Sequence, residues 1–324
     1  MTRKIQNVLV TGGCGFIASN FINYLHSTHP TVFVLNIDRL DYCSDVDNVI
    51  CQDPLRYQLA ITDINNKEHI LKLFHKYNID TVVHMAAQSH VDNSFGNSIQ
   101  FTMDNVLGTH TLLECARVYG KLQLFLHIST DEVYGEVDLD HPGCDEKSLL
   151  NPTSPYASSK CGAEFVVRSY YHSFKLPVII TRGNNVYGPR QYPEKLIPKF
   201  ISHFVKNEKC TIHGEGKSRR NFIYVDDVSR AVEKVMLEGE INQIYNIGSW
   251  DEYSVMDIFY RLHKELNIEK ETDECLEYVE DRAFNDFRYA INSDKLQELG
   301  WNQQITFDEG IRSTVEWYKQ KLMK

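Results

Sequence analysis

What this 324-residue chain lacks narrows its class before any motif is read. No run approaches 18 consecutive apolar residues, so no membrane-spanning helix is expected. The eight cysteines, at 14, 43, 51, 115, 144, 161, 210 and 275, form no C-x-x-C pair and no Cys/His cluster at zinc spacing. Free thiols, no bound metal and a reducing compartment are the expectation. Met1 to Gln6 carries no apolar leader, and the expected location is cytoplasmic. Positive charge is in deficit: 34 Lys and Arg face 44 Asp and Glu, a net charge of -10. That balance excludes sequence-independent binding to nucleic acid phosphates. Repeats, low-complexity tracts and Ser/Gly linkers are missing too, so any second domain is expected to pack tightly on the first.

What is present is a globular composition, 42% hydrophobic and 11% aromatic, ample for a core. The length suits two domains or one large α/β unit. Short, nearly all-apolar runs recur at Asn7–Thr11, Val32–Ile37, Thr81–Met85, Leu124–Ile128 and Val178–Thr181. Helical periodicity fills the gaps at Phe16–Leu25, Lys67–Tyr77 and Gly108–Val118. Such alternation specifies an α/β fold, a Rossmann-type doubly wound parallel sheet with helices on both faces. Beyond residue 181 the alternation loosens. Residues 1–180 are therefore expected to form the doubly wound domain, with parts of 217–250 returning to it, and 181–324 a smaller mixed α/β substrate domain.

The first run ends in Gly12-Gly13-Cys14-Gly15-Phe16-Ile17-Ala18 and opens a helix. Glycine lets backbone approach a pyrophosphate, and the helix N-terminus offers N–H donors and a positive dipole end. Alone, this pattern also describes a plain small-residue turn. Asp38, 23 residues beyond Gly15 at the end of the next strand, adds a carboxylate for adenosine ribose hydroxyls. That carboxylate favours NAD, although Arg39 follows immediately and would suit the 2′-phosphate of NADP.

Tyr156 and Lys160 stand at i and i+4 after Ser154-Pro155, one above the other on a helix. Such a pair is often only a solvated face. An ammonium there is expected to lower the phenol from about 10 towards working pH, making a general base. Ser129-Thr130 closes the strand Leu124–Ile128, the end of a parallel strand at which ligands bind. Together these residues read as hydride-transfer chemistry. Asp131 and Glu132 follow directly. Two acids can decorate a solvated turn, but beside a redox site they suggest an added proton-transfer step, such as loss of water next to a ketone.

These residues resemble the extended short-chain dehydrogenase/reductase family, and within it the nucleotide-sugar 4,6-dehydratases. The resemblance runs over nearly the whole chain. It includes the glycine loop, Asp38-Arg39-Leu40-Asp41-Tyr42, Asp63-Ile64, Ala86-Ala87-Gln88-Ser89-His90-Val91-Asp92 and Ser129-Thr130-Asp131-Glu132-Val133-Tyr134-Gly135. It continues through Asn184–Pro189, Tyr192–Pro198, Arg220–Asp227, Tyr245–Gly248 and Arg288–Ala290. The Asp-Glu pair is its specific part, because the family's 4-epimerases lack it and the inverting dehydratases of UDP-N-acetylglucosamine typically carry Asp-Lys.

The resemblance implies NAD contacts from Gly12, Gly15, Phe16, Ile17, Asp38, Arg39, Asp63, Ile64, Ala86, Ala87, Ser89, Tyr156 and Lys160. It implies that Tyr156, helped by Thr130 and Lys160, takes the C4 hydroxyl proton as hydride passes to NAD. Glu132 then removes the C5 proton while Asp131 protonates the departing C6 hydroxyl, and the hydride returns to C6. The product is a 4-keto-6-deoxy sugar, a first step towards deoxysugars such as rhamnose. Substrate contacts are implied for Gln88, Thr130, Asn185, Lys195, Leu196, Thr211, His213, Arg220, Asn246 and Arg282. Arg220 matches the position that contacts the diphosphate, where an Arg fork suits bidentate recognition.

Residues 181–222 hold nine Lys/Arg and three Glu, a local excess of +6 that would serve this phosphate side. Bacterial members act on dTDP-glucose and plant-type rhamnose-pathway members on UDP-glucose. Tyr42-Cys43, Ala157-Ser158-Ser159, Asn184-Asn185-Val186-Tyr187 and Lys199-Phe200-Ile201-Ser202 look closer to the eukaryotic type, so UDP is the expected base. The resemblance also implies a homodimer through helices near 97–118 and 156–173. The rival readings are a nucleotide-sugar 4-epimerase, a dehydratase of UDP-N-acetylglucosamine, and an inactive Rossmann-type sensor or scaffold.

Overall fold

The structure is a computed structural model and describes residues 2–280 and 286–322. The chain opens with β1 (Asn7–Thr11), α1 (Phe16–Thr28), β2 (Phe33–Asp38), β3 (Tyr57–Ile61), α2 (Lys67–Tyr77) and β4 (Thr81–His84). Short helices α3 (Val91–Gly96) and α4 (Ser98–Phe101) lead through a π-helical turn (Thr102–Leu107) into α5 (Gly108–Tyr119). Then come β5 (Leu124–Thr130), a single 3₁₀ turn (Asp131–Tyr134), α6 (Pro155–Phe174), β6 (Val178–Gly183) and β7 (Asn185–Tyr187). The remainder supplies α7 (Leu196–Val205), β8 (Cys210–His213), β9 (Arg219–Tyr224), α8 (Val225–Glu238), β10 (Ile244–Ile247) and β11 (Glu252–Ser254). It closes with α9 (Val255–Glu265), β12 (Leu276–Val279), α10 (Asp294–Glu298) and α11 (Phe307–Leu322).

Seven strands pair in parallel in the order β10-β6-β5-β4-β1-β2-β3. Their runs are apolar because both faces are covered. On one face, Phe21, Ile22 and Leu25 of α1 pack with Val228, Val232 and Val235 of α8 and Leu296 of α10. On the other, Phe74 of α2, Leu112 and Leu113 of α5, and Val167 and Tyr170 of α6 do the same. The strand order reverses between β1 and β4, the switch point at which open α/β sheets bind ligands.

The second lobe carries the three-stranded sheet β11-β9-β7 and the ribbon β12-β8. Helices α7, α9 and α11 close it over Phe200, Phe204, Phe259 and Phe307. Chain and lobes are not collinear: after β7, α7, β8 and β9, the chain returns through α8 and β10 to complete the large sheet. Among the described residues, no helix is long and apolar enough to cross a membrane.

Candidate active site

A cleft of about 490 Å³ lies over the C-terminal ends of the strands, lined by both lobes. All thirteen residues expected to contact the cofactor line it. Gly12 adopts φ +71, and a Cβ there would stand 2.9 Å from Ala86 Cα; at Gly13 it would collide with Asn36, whose Oδ1 accepts the Gly13 N–H at 2.9 Å. Both glycines are thus required by close approach of backbone and neighbour. Gly15 is the N-cap of α1 and brings no side-chain cap, leaving first-turn N–H groups for a ligand. Asp38 closes β2, its Oδ2 accepting from Cys14 N at 2.9 Å and its Oδ1 from Leu40 N at 2.8 Å. Among the described residues, Ser129 Oγ is buried without a partner, and it lines the same cleft. The glycine cradle, the uncapped helix end and the orphan hydroxyl fit a dinucleotide.

The chemistry gathers where β5 ends. The 3₁₀ turn sends successive side chains in different directions. Glu132 lines the cleft, whereas Asp131 is 2% exposed and lies behind the lining. Asn184 Nδ2 donates to Asp131 Oδ2 at 2.7 Å, and the Thr130 hydroxyl to its Oδ1 at 3.2 Å. Burial pushes the Asp131 carboxyl up to about 6. Burial, and then the Asp131 charge, push Glu132 up to about 7, while the Arg220 guanidinium opposes both shifts. Two carboxyls that titrate near neutrality can exchange protons at working pH.

Ser154 caps α6 by accepting from Ala157 N at 3.1 Å, with Pro155 in the first turn. That start sets Tyr156 and Lys160 on the cleft face of the helix. The expectation of a lowered Tyr156 is corrected here. Burial raises the phenol, the Glu132 and Asp131 carboxylates raise it further, and the Thr130 hydroxyl only partly opposes them. Lys160 does not offset this, because its Nζ donates to the Ile128 carbonyl at 2.6 Å and burial lowers it to about 8.

On the substrate side, Gln88, Thr130, Asn185, Lys195, Leu196 and Arg220 line the cleft. Lys195 Nζ donates to Ser89 O at 2.8 Å, bridging the lobes. Arg220 stacks over the Tyr289 ring at 4.5 Å and donates to Asp286 O at 2.8 Å. Asn246 is placed differently. It is fully buried, its Nδ2 donating to Cys144 O and Asn292 O and its Oδ1 accepting from Tyr134, so its amide is spent on the protein. Thr211 and His213 sit on β8, outside the lining, and Arg282 lies outside the described residues. Of the nine cations in 181–222, only Lys195 and Arg220 line the cleft; Arg182 is buried against Glu164. Sequence reasoning missed Asn184, Asp286 and Tyr289, all in the lining. Each stood inside or beside a quoted motif, and that adjacency was the available signal.

The chain matches the family model described as GDP-mannose 4,6 dehydratase over residues 9–314. It is 46% identical over 321 residues to a trifunctional UDP-glucose 4,6-dehydratase/UDP-4-keto-6-deoxy-D-glucose 3,5-epimerase/UDP-4-keto-L-rhamnose-reductase of Arabidopsis thaliana, covering 98% of this chain. It spans 48% of that longer relative. It is 47% identical to the dTDP-D-glucose 4,6-dehydratase of Mus musculus, covering 97% of this chain and 89% of the relative. The solved dTDP-glucose 4,6-dehydratase of Streptomyces venezuelae, with NAD bound, superposes with a TM-score of 0.92 at 36% identity, covering 97% of both chains. With the glycine cradle, the Tyr–Lys helix and the Asp–Glu turn in one cleft, the chain belongs to the GDP-mannose 4,6 dehydratase family of extended short-chain dehydrogenases/reductases, in its nucleoside-diphosphate-glucose 4,6-dehydratase branch.

Proposed function

We propose that this protein dehydrates a nucleoside-diphosphate glucose to the 4-keto-6-deoxy sugar, with NAD as its resident cofactor and UDP-glucose as its preferred substrate. The observation that carries the reading is the carboxyl pair Asp131 and Glu132, both titrating near neutrality beside Tyr156. A 4-epimerase needs no such pair. NAD, when bound, supplies the hydride acceptor for C4 and the donor for C6. Gly12, Gly15 and the first turn of α1 would hold its pyrophosphate, and Asp38 its adenosine ribose. The large sheet's lobe thus serves the cofactor and the second lobe the nucleotide sugar.

Tyr156 would accept the C4 hydroxyl proton as phenolate, a form that the Thr130 hydroxyl favours and that the positive charge of a bound nicotinamide would favour against the carboxylates that raise the phenol. The 4-ketone acidifies C5, and Glu132, facing the cleft, takes that proton. Asp131, behind the lining and hydrogen-bonded to the cleft-lining Thr130 hydroxyl, is the source of the proton that leaves with the C6 hydroxyl as water, and Glu132 then returns its proton to C5. Arg220 binds the diphosphate, and Lys195 lies among the residues around the nucleotide sugar. Homologues named for UDP-glucose and for dTDP-glucose stand at nearly equal identity, so the motifs around Tyr42-Cys43 and Ala157-Ser158-Ser159 carry the preference for UDP.

The apolar side chains exposed on α4, the π-turn and α6 support a homodimer across that face, and the scattered free thiols support a cytoplasmic location. Glu132→Gln assayed in D2O, with UDP-glucose and dTDP-glucose side by side, tests the reading. Expected are loss of keto-deoxy product by about 100-fold or more and loss of C5 exchange, as for removal of a general base. Native-rate exchange at C5 in the variant would sink the role of Glu132. Formation of UDP-galactose instead would favour the epimerase.

A further inference from the structure

Arg39 follows the strand-end carboxylate Asp38, the position from which an arginine accommodates the 2′-phosphate of NADP. A guanidinium has five N–H donors. Here every one is engaged. Nε donates to Asp41 Oδ2 at 3.3 Å. Nη1 donates to Asp63 Oδ2 at 3.2 Å and to Asp104 Oδ1 at 2.8 Å, and Nη2 to Asp41 Oδ2 at 2.7 Å and to Asp104 Oδ2 at 2.7 Å. The Asp104 arm is the bidentate one, with both carboxylate oxygens on both terminal nitrogens, the strongest form such a pair takes.

Asp104 comes from the π-helical turn, a different element from the strand end it reaches. Its side chain is 8% exposed, and Gln100 Nε2 fixes its Oδ1 at 2.9 Å. Asp38, Asp41, Asp63 and Asp104 all line the cleft beside Arg39. A 2′-phosphate would bring two further negative charges among four carboxylates and meet no open N–H on Arg39.

We propose that Asp104 is a specificity-determining residue, which locks Arg39 away from the ribose end of the cofactor and so commits the chain to a dinucleotide with a free 2′-hydroxyl. The proposal rests on the reading of NAD as cofactor. In its terms, the π-turn places on Arg39 the carboxylate that disables it.

The test is direct binding, by calorimetric titration of NAD and NADP into protein freed of nucleotide. Wild-type protein is expected to bind NADP about 100-fold more weakly than NAD. In Asp104→Asn the ratio is expected to fall at least tenfold, through tighter NADP binding, the scale of one charge-assisted hydrogen-bonding partner released. Adding Arg39→Leu to that variant should abolish the gain. A ratio within threefold of wild type in Asp104→Asn overturns the proposal. So does a gain that survives in the double variant, because lost repulsion alone would then account for it.

If Asp104→Asn does not fold, Arg39→Leu alone decides. A locked arginine contributes nothing to NADP, so the ratio should stay within threefold of wild type, and a further tenfold loss of NADP affinity overturns the lock. Wild-type protein that binds neither dinucleotide overturns the cofactor reading itself, and this proposal with it. NAD binding with unaltered discrimination overturns the proposal alone.

Discussion

Glu132 is held in a costly environment. Its carboxyl is raised from its ordinary value of 4.5 to about 7, first by burial and then by Asp131. An acid whose folded pKa is raised resists ionisation in the native state. Its contribution to stability is therefore whole below its unfolded value and is lost as pH rises through about 7. Asp131, raised to about 6, acts in the same direction. Glu132→Gln removes the ionisable group, so the variant should be more stable than wild type at pH 8, by on the order of 2 kcal/mol in urea titrations. The advantage should vanish by pH 4.5. A variant less stable at pH 8 would show that the carboxylate is solvated or paired. Activity needs Glu132 ionised to take the C5 proton and Asp131 protonated to release the C6 hydroxyl, so turnover should peak between about 6 and about 7 and fall on either side.

Among elements, helix α6 does most. Tyr156, Lys160 and Glu164 recur at i, i+4 and i+8, so one buried row runs from the cleft into the core. Glu164 meets Arg182 of β6 at 2.6 Å, both side chains at most 2% exposed. Arg182 Nη1 donates to the Tyr134 hydroxyl at 2.8 Å, and its guanidinium lies 4.7 Å from that ring. Tyr134 closes the turn that carries Asp131 and Glu132, so the ion pair braces the acid–base segment. Glu164→Gln leaves a buried guanidinium short of its counter-charge and should cost about 3 kcal/mol, read as a lower urea midpoint at unchanged slope. A loss under 1 kcal/mol would show the pair to be dispensable.

This row also marks the limit of legibility. The 129–135 motif and the pair Tyr156 and Lys160 each lie within one short stretch of sequence, and their chemistry could be read there. The raised phenol could not, because it depends on burial and on carboxylates from another element. Nor could the π-turn be read, since its altered hydrogen-bond spacing leaves no mark in the pattern of apolar residues.

Across the whole molecule, the doubly wound sheet was legible because each buried strand is written as an apolar run. The strand–helix alternation predicted through residue 181 is present. The charge map was less legible. The +6 excess of 181–222 looked like a phosphate-binding surface, yet Arg182 is spent in the core and Lys217 pairs with Glu215. A count along the chain cannot say which side chains point into a cleft. The exposed Ile99, Met103 and Leu107 lie on the segment beside α6, where Phe165 is 55% exposed. If they form the dimer face, Ile99→Asp with Phe165→Asp should shift the mass by light scattering from two chains to one at micromolar concentration, as burying two charges in an apolar interface demands. A wild-type monomer would remove that assembly.

The return of the chain through α8 and β10 has a consequence for how such proteins change over time. Cutting at residue 180 would split β6, strip the large sheet of its edge strand β10 and strip its core of Val228, Val232, Val235 and Ile247. The substrate lobe is therefore no cassette, to be exchanged whole between relatives by joining one chain's tail to another's head. A new sugar or a new base must be accommodated residue by residue, inside an uncut chain and around a cofactor lobe that stays intact throughout.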